Sequence, residues 1–163
     1  MSDQSVNSQE LKTLVHDYRD SILRLAYAYL KNHHDAEDVA QDVFVAFLRS
    51  HPSFPHDGAK KSWLMTVTAN KCRNILTSAW KKRSVPLTED LSYLQEEDLN
   101  VLSFVLSLDE HYRIPIHLYY YEGYSIEEIA KIIDANPSTV GTRLARGRKL
   151  LKNKLGEDYY EEE

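Results

Sequence analysis

Between Pro137 and Lys154 the chain carries six basic residues, Arg143, Arg146, Arg148, Lys149, Lys152 and Lys154, and no acidic one. Such groups neutralise phosphates, and an arginine can also hold a guanine edge through two hydrogen bonds. A second acid-free stretch, Lys60 to Arg83, holds seven bases: Lys60, Lys61, Lys71, Arg73, Lys81, Lys82 and Arg83. Trp63, Trp80, Thr66, Asn70 and Asn74 are interleaved there. Aromatic rings and amides among bases can address exposed nucleobases, although a tryptophan at helical spacing is more often core, and Trp80 reads as core or rim. The histidines show no comparable pattern. His33 and His34 are adjacent and point apart on a helix, and His16, His51, His56, His111 and His117 lack ligand spacing. No Ser/His/Asp set and no phosphate-cradling glycine motif appears. The chemistry on offer is binding to nucleic acid, with no metal or cofactor and no catalytic residue expected, and a metal or hydrolytic enzyme is disfavoured.

The elements that must position these groups are helices. Ser125 and Glu128 have capping-box spacing, and Ile126, Ile129, Ala130 and Ile133 recur on one helical face. Asp134-Ala135-Asn136 breaks that pattern, and Pro137 suits the first turn of a new helix. Val140, Leu144 and Leu151 give the second helix its apolar stripe, with Thr139, Thr142, Arg143, Arg146 and Lys149 elsewhere on its surface. A short helix, a tight turn and a basic second helix describe a helix-turn-helix whose second helix enters the major groove. Leu99–Leu106 and about Asp109 to Tyr121 precede it as further helices. Asp109 is the expected cap, Pro115 is expected to kink the helix or delay its start, and Gly123 stops it.

The N-terminal half is also helical by spacing. Leu11, Leu14, Val15, Tyr18, Ile22, Leu25 and Tyr29 step by three and four, ending near Leu30. Lys31 to His34 read as a connection, with Asp35 as the cap of the next helix. In that helix Ala36, Val39, Val43 and Phe47 face a core, while Asp38, Gln41, Asp42, Val45 and Arg49 share a polar face. By spacing alone that face is simply solvated. Ser50 to Ala59 read as a loop, in which Phe54 is either an inward plug or a stacking platform. Leu64, Val67, Ile75, Leu76 and Ala79 are the expected core stripe of the helix after it.

Composition bounds the rest. The 163 residues are 42% apolar and 28% charged, with five glycines and five prolines, which favours a mostly helical protein. Cys72 is the single cysteine, so an internal disulfide is excluded and a reducing, cytosolic setting fits. The opening MSDQSVNSQE is polar and acidic, unlike a signal peptide, and no apolar run reaches the ~20 residues of a membrane span. The net charge is −5. Five acids after Gly156 account for it, and five more, with no base, fall in Ser84 to Asp98, which reads as a linker. Charge is segregated along the chain, and that informs more than its sum.

Taken together, DAEDVAQDVFVAFLR (35–49), SWLMTVTANKCRNIL (62–76) and the stretch from Leu108 to Leu151 resemble one family. The chain is similar to bacterial RNA polymerase sigma factors of the extracytoplasmic-function (ECF) subfamily, from about Leu11 to Leu155. The resemblance implies an all-α protein of two small helical domains. Region two would span 8–83, a flexible acidic linker 84–98, region four 99–155, and an acidic tail 156–163. It implies that Asp38, Gln41, Asp42 and Phe44 bind the β′ clamp helices of core RNA polymerase, making an interface of the face that spacing alone leaves solvated. Ser50, Phe54 and Asn70 would line a pocket for an unstacked minus-ten base, with Trp63, Lys71, Arg73 and Asn74 close by. Ser138, Thr139, Thr142, Arg143, Arg146 and Lys149 would read the minus-thirty-five element, and region four would touch the β flap. Promoter DNA and an anti-sigma factor are the other implied partners, and the location is cytoplasmic. Two glycines depart from the family pattern: Gly141 stands where a base is usual, and Gly147 where alanine is common. The tail either repels DNA from the free protein or only solubilises it. A stand-alone helix-turn-helix regulator is the nearest rival, and it has no use for the Asp35–Arg49 surface.

Overall fold

A computed structural model describes residues 2–82 and 103–160, with side chains placed for 8–78 and 103–156. The linker expected at 84–98, and Ala79 and Trp80 as side chains, lie outside what is described. Two compact units divide the chain, Met1–Leu87 and Thr88–Glu163. Every described element is a helix.

In the first unit α1 (Ser2–Leu30), α2 (His33–Ser50) and α3 (Asp57–Lys82) pack pairwise. Leu14, Ile22, Leu25 and Leu30 of α1 meet Ala36, Val39, Val43 and Phe47 of α2 and Leu64, Met65, Ala69 and Cys72 of α3 in an apolar core. Each large apolar side chain withdrawn there contributes about 1.5–3 kcal/mol. Asn32, rather than Asp35, caps α2. Its side-chain oxygen accepts the Asp35 N–H at 2.9 Å, made possible by Lys31 turning left-handed at φ 55°. The helix thus starts earlier than the spacing predicts and draws in both histidines, with His33 Nε2 3.2 Å from Glu37.

The loop after α2 is also shorter than Ser50–Ala59. His51 closes α2 in the left-handed region, and His56 Nδ1 accepts the Ala59 N–H at 3.0 Å, so Asp57, Gly58 and Ala59 belong to α3. The core stripe of α3 is rotated from the expected one. Leu64, Met65, Thr68, Ala69 and Cys72 are buried, Val67 and Leu76 are half-buried, and Ile75 is 38% exposed. The reason is Thr68, whose hydroxyl donates to the Leu64 carbonyl at 2.7 Å. With its polar atom satisfied, a residue that looks like surface can sit inside.

In the second unit residues 103–107 are helical, and α4 (Glu110–Ile116) follows. Residues 99–102 of the expected Leu99–Leu106 helix lie outside the description. Asp109 caps α4 by accepting the His111 N–H at 3.0 Å, and that bond holds its carboxyl below the usual range. Pro115 does not delay the start of α4. The helix runs through the proline and then widens into a π turn, His117–Tyr121, whose end is marked by Glu122 N–H bonding the His117 carbonyl at 3.2 Å. Gly123, at φ 75°, ends it in the conformation that favours glycine.

The capping box of α5 (Ile126–Ile133) is formed: Glu128 N–H donates to Ser125 Oγ at 3.2 Å and Ser125 N–H to Glu128 Oε1 at 3.1 Å. Asp134 turns left-handed and Pro137 begins α6 (Pro137–Tyr160). Its backbone continues helical through Tyr160, past the expected start of the tail at Gly156. Val140 and Leu144 are buried on α6, and so is Gly147, where an added Cβ would stand 3.0 Å from Ile116 Cγ1. Among the described residues no helix is long and apolar enough to cross a membrane.

Two glycines of one helix should therefore respond oppositely to alanine. Gly141 has nothing within 4 Å of a new Cβ, so Gly141→Ala gains about 1 kcal/mol of helix preference. At Gly147 overpacking of about 1–3 kcal/mol outweighs that gain, and Gly147→Ala loses about 1 kcal/mol by urea unfolding. Removing the cap with Asp109→Ala costs ~1 kcal/mol at neutral pH. Because the folded carboxyl is held low, its contribution is present above the usual carboxylate pKa. It fades as pH falls through the lowered value, and wild type and variant converge in acid.

Candidate nucleic-acid and protein interfaces

The apolar stripe of α6 fixes where its polar residues go. With Val140, Leu144 and Gly147 turned inward, Ser138, Thr142, Arg146 and Lys149 are exposed, and Thr139 and Arg143 are half-buried. Ser138, Thr139, Thr142, Arg143 and Arg146 line one shallow concavity of about 270 Å³. Hydroxyls and guanidinium groups thus converge on the N-terminal half of a helix whose other side is anchored. That is the placement a recognition helix needs. Thr142 Oγ1 donates back to the Ser138 carbonyl at 3.0 Å, which orients its hydroxyl.

The exposed side of α2 is a continuous ridge. Asp38, Gln41, Asp42, Val45 and Arg49 are all exposed along it, with Val45 42% exposed at its centre. Phe44 does not belong to that surface. It is 8% exposed and belongs to the buried side of α2. An apolar centre with a polar rim is how protein interfaces are commonly built.

On the remaining side of the first unit, Phe54 is half-buried and sets its ring edge-on to Trp63 at 6.1 Å. Trp63 meets Phe47 of the core in the same way at 6.0 Å. The loop is therefore anchored inward through three rings, and Phe54 is at least in part a plug. Ser50, Asn70 and Asn74 are exposed, while Lys71 and Arg73 are half-buried. The Arg73 guanidinium donates to the Asn70 side-chain oxygen. Lys60, counted among the phosphate-seeking bases by sequence, holds its ammonium over the Phe47 and Tyr18 rings at 5.4 and 5.8 Å. Cation–π contacts from α3 to α1 and α2 make it a strut of the fold.

Sequence reasoning passed over a cluster around the π turn. Widening the helix to five residues per hydrogen bond brings His117 and Glu122 together, Nε2 to Oε1 at 3.5 Å, with both side chains almost fully buried. The His117 ring stacks on Tyr121 at 5.5 Å. Tyr119, Tyr120 and Tyr121 are exposed, and Arg148 Nη1 of α6 donates to Tyr120 Oη at 3.3 Å. Three consecutive tyrosines were the available signal, but helical spacing alone does not place three neighbours on one surface. Among the described residues no three His, Cys, Asp or Glu side chains gather as a metal site.

Comparison with known proteins matches residues 14–82 to Sigma-70 region 2 and residues 98–151 to Sigma-70, region 4. The chain is 31% identical over 150 residues to RNA polymerase sigma factor SigV of Bacillus subtilis, covering 89% of this chain and 90% of SigV. It is 30% identical over 155 residues to ECF RNA polymerase sigma factor SigE of Mycolicibacterium smegmatis, covering 87% of this chain and 60% of SigE. Its fold is similar to that of the Bartonella quintana sigma factor RpoE, solved in complex with the anti-sigma factor NepR. There the TM-score is 0.68 at 23% identity, over 91% of this chain and 98% of that one. It is similar also to CnrH, solved with the cytosolic domain of CnrY, with a TM-score of 0.67 at 24% identity, over 94% and 92%.

The three-ring anchor is open to a direct check. Trp63→Ala should cost roughly 2–3 kcal/mol, below the full value for a buried tryptophan because Trp63 is half-buried. Trp63→Phe should recover most of the loss in the same urea titration.

Proposed function

This chain belongs to the ECF family of RNA polymerase sigma factors, and we propose that it works by carrying two separate grips, one for polymerase and promoter melting and one for promoter reading. Residues 8–83 act as region two and 99–155 as region four, joined through 84–98. The ridge Asp38, Gln41, Asp42 and Val45 docks on the β′ clamp helices. Ser50, Phe54, Trp63, Asn70, Lys71, Arg73 and Asn74 receive and hold the melted minus-ten strand. Unstacking a base costs a few kcal/mol, which a shaped pocket returns for the right sequence. Ser138, Thr139, Thr142, Arg143, Arg146 and Lys149 read the minus-thirty-five element in the major groove, and region four also meets the β flap. The chain catalyses nothing itself. It supplies binding energy that places core polymerase and stabilises open DNA, in the cytoplasm, under an anti-sigma partner that answers envelope or other stress.

The observation that carries this reading is the exposure of both faces. The Asp38–Arg49 ridge and the Ser138–Lys149 face each lie on the solvent side of a helix whose opposite side builds a core. A stand-alone regulator accounts for the second face and leaves the first without a purpose.

Purified chain added to core polymerase should initiate from a small promoter set on genomic DNA. Initiation at no promoter of the source genome would sink the reading. Asp38→Lys with Asp42→Lys should abolish core binding while unfolding within about 0.5 kcal/mol of wild type, since surface changes are normally that mild. Unaltered core binding by that double variant would remove the ridge from the interface.

A further inference from the structure

The Tyr120–Arg148 pair lies outside the residues assigned above to base reading, and its hydrogen-bond chemistry is one-sided. Arg148 gives one N–H to the Tyr120 oxygen. That leaves the phenol hydrogen and the remaining guanidinium N–H groups to donate outward. Both partners are exposed, Tyr120 by 52%. Tyr119 supports the Tyr120 ring edge-on, with centroids 4.9 Å apart. A surface that offers donors and a positive charge fits a partner that offers only acceptors and a negative charge. Arg148 stands on the helix proposed to enter the groove, within a run of six bases free of acids from Pro137 to Lys154. It does not line the concavity formed by Ser138, Thr139, Thr142, Arg143 and Arg146.

We propose that Tyr120 and Arg148 together clamp a phosphodiester of the promoter backbone beside the recognition helix, setting its register without reading sequence. This rests on the reading of α6 as the minus-thirty-five helix. Arg148 makes the contact through charge and two or more donors, and Tyr120 both adds a donor and fixes the guanidinium. The π turn is what delivers the tyrosine. It places Tyr119 and Tyr120 at the surface while His117 and Leu118 remain in the core. Contacts of this kind position a protein on DNA, whereas base contacts specify the site.

The test uses holoenzyme on a promoter from which wild type initiates, so failure of wild type would fall on the parent reading alone. Promoter affinity is measured across a salt series, on the intact site and on one with its minus-thirty-five element scrambled. Arg148→Ala should weaken both complexes by the same factor and lower the slope of log affinity against log salt by about one. Arg148→Lys should keep the slope. Tyr120→Phe should weaken binding in wild type and have a smaller further effect in Arg148→Ala, where only its own donor is lost. An Arg148→Ala variant that binds both sites as wild type does would overturn the clamp, leaving the pair a surface strut. So would one that loses only discrimination between the sites, which marks a base contact. Weakened core binding with promoter affinity intact would reassign the donors to an acidic protein surface.

Discussion

How near α6 can come to α4 governs the second unit. At Gly147 the helix sits so close to α4 that an added methyl would stand 3.0 Å from the Ile116 side chain, tighter than ordinary contact. Everything on α6 takes its direction from that approach. Val140 and Leu144 are drawn into the same seam, and the side chains opposite are turned to solvent as a set. A helix held by a looser seam could roll, and rolling by one residue's angle would present a different group to solvent. The buried face therefore determines which side chains α6 presents to solvent.

The first unit solves a similar problem with a different device. Its ridge lies on α2, whose other face is embedded between α1 and α3. Lys60 fastens all three helices through its rings, and Phe54, Trp63 and Phe47 tie the loop to the same core. Charge is distributed to match. The ridge carries Asp38 and Asp42, and α6 through Lys154 carries only bases. Opposite potentials on different helices suit different partners, which a net charge of −5 conceals.

What could be read in the sequence was what depends on local spacing. The helix-turn-helix, its capping box, the glycine stop at Gly123 and the exposed ridge on α2 all follow from residue types at fixed intervals. The misses came where a polar group is satisfied inside or a ladder changes pitch. Thr68 counts as surface until its bond to Leu64 is seen, and one such residue rotates the apparent core face of α3. Asn32 starts α2 in place of Asp35, and His56 starts α3 within the expected loop, because their side chains reach the free N–H groups. The π turn after Pro115 has no periodic signature, so the tyrosine surface and the His117–Glu122 contact were illegible. Phe44 looked like an interface residue by position and is core by packing.

Cys72 has no surface exposed in the folded first unit, and the second unit contains no sulfhydryl at all. A water-borne alkylating agent can reach that sulfur only while α3 is lifted from its neighbours. The chain thus carries a built-in clock for the breathing of one half.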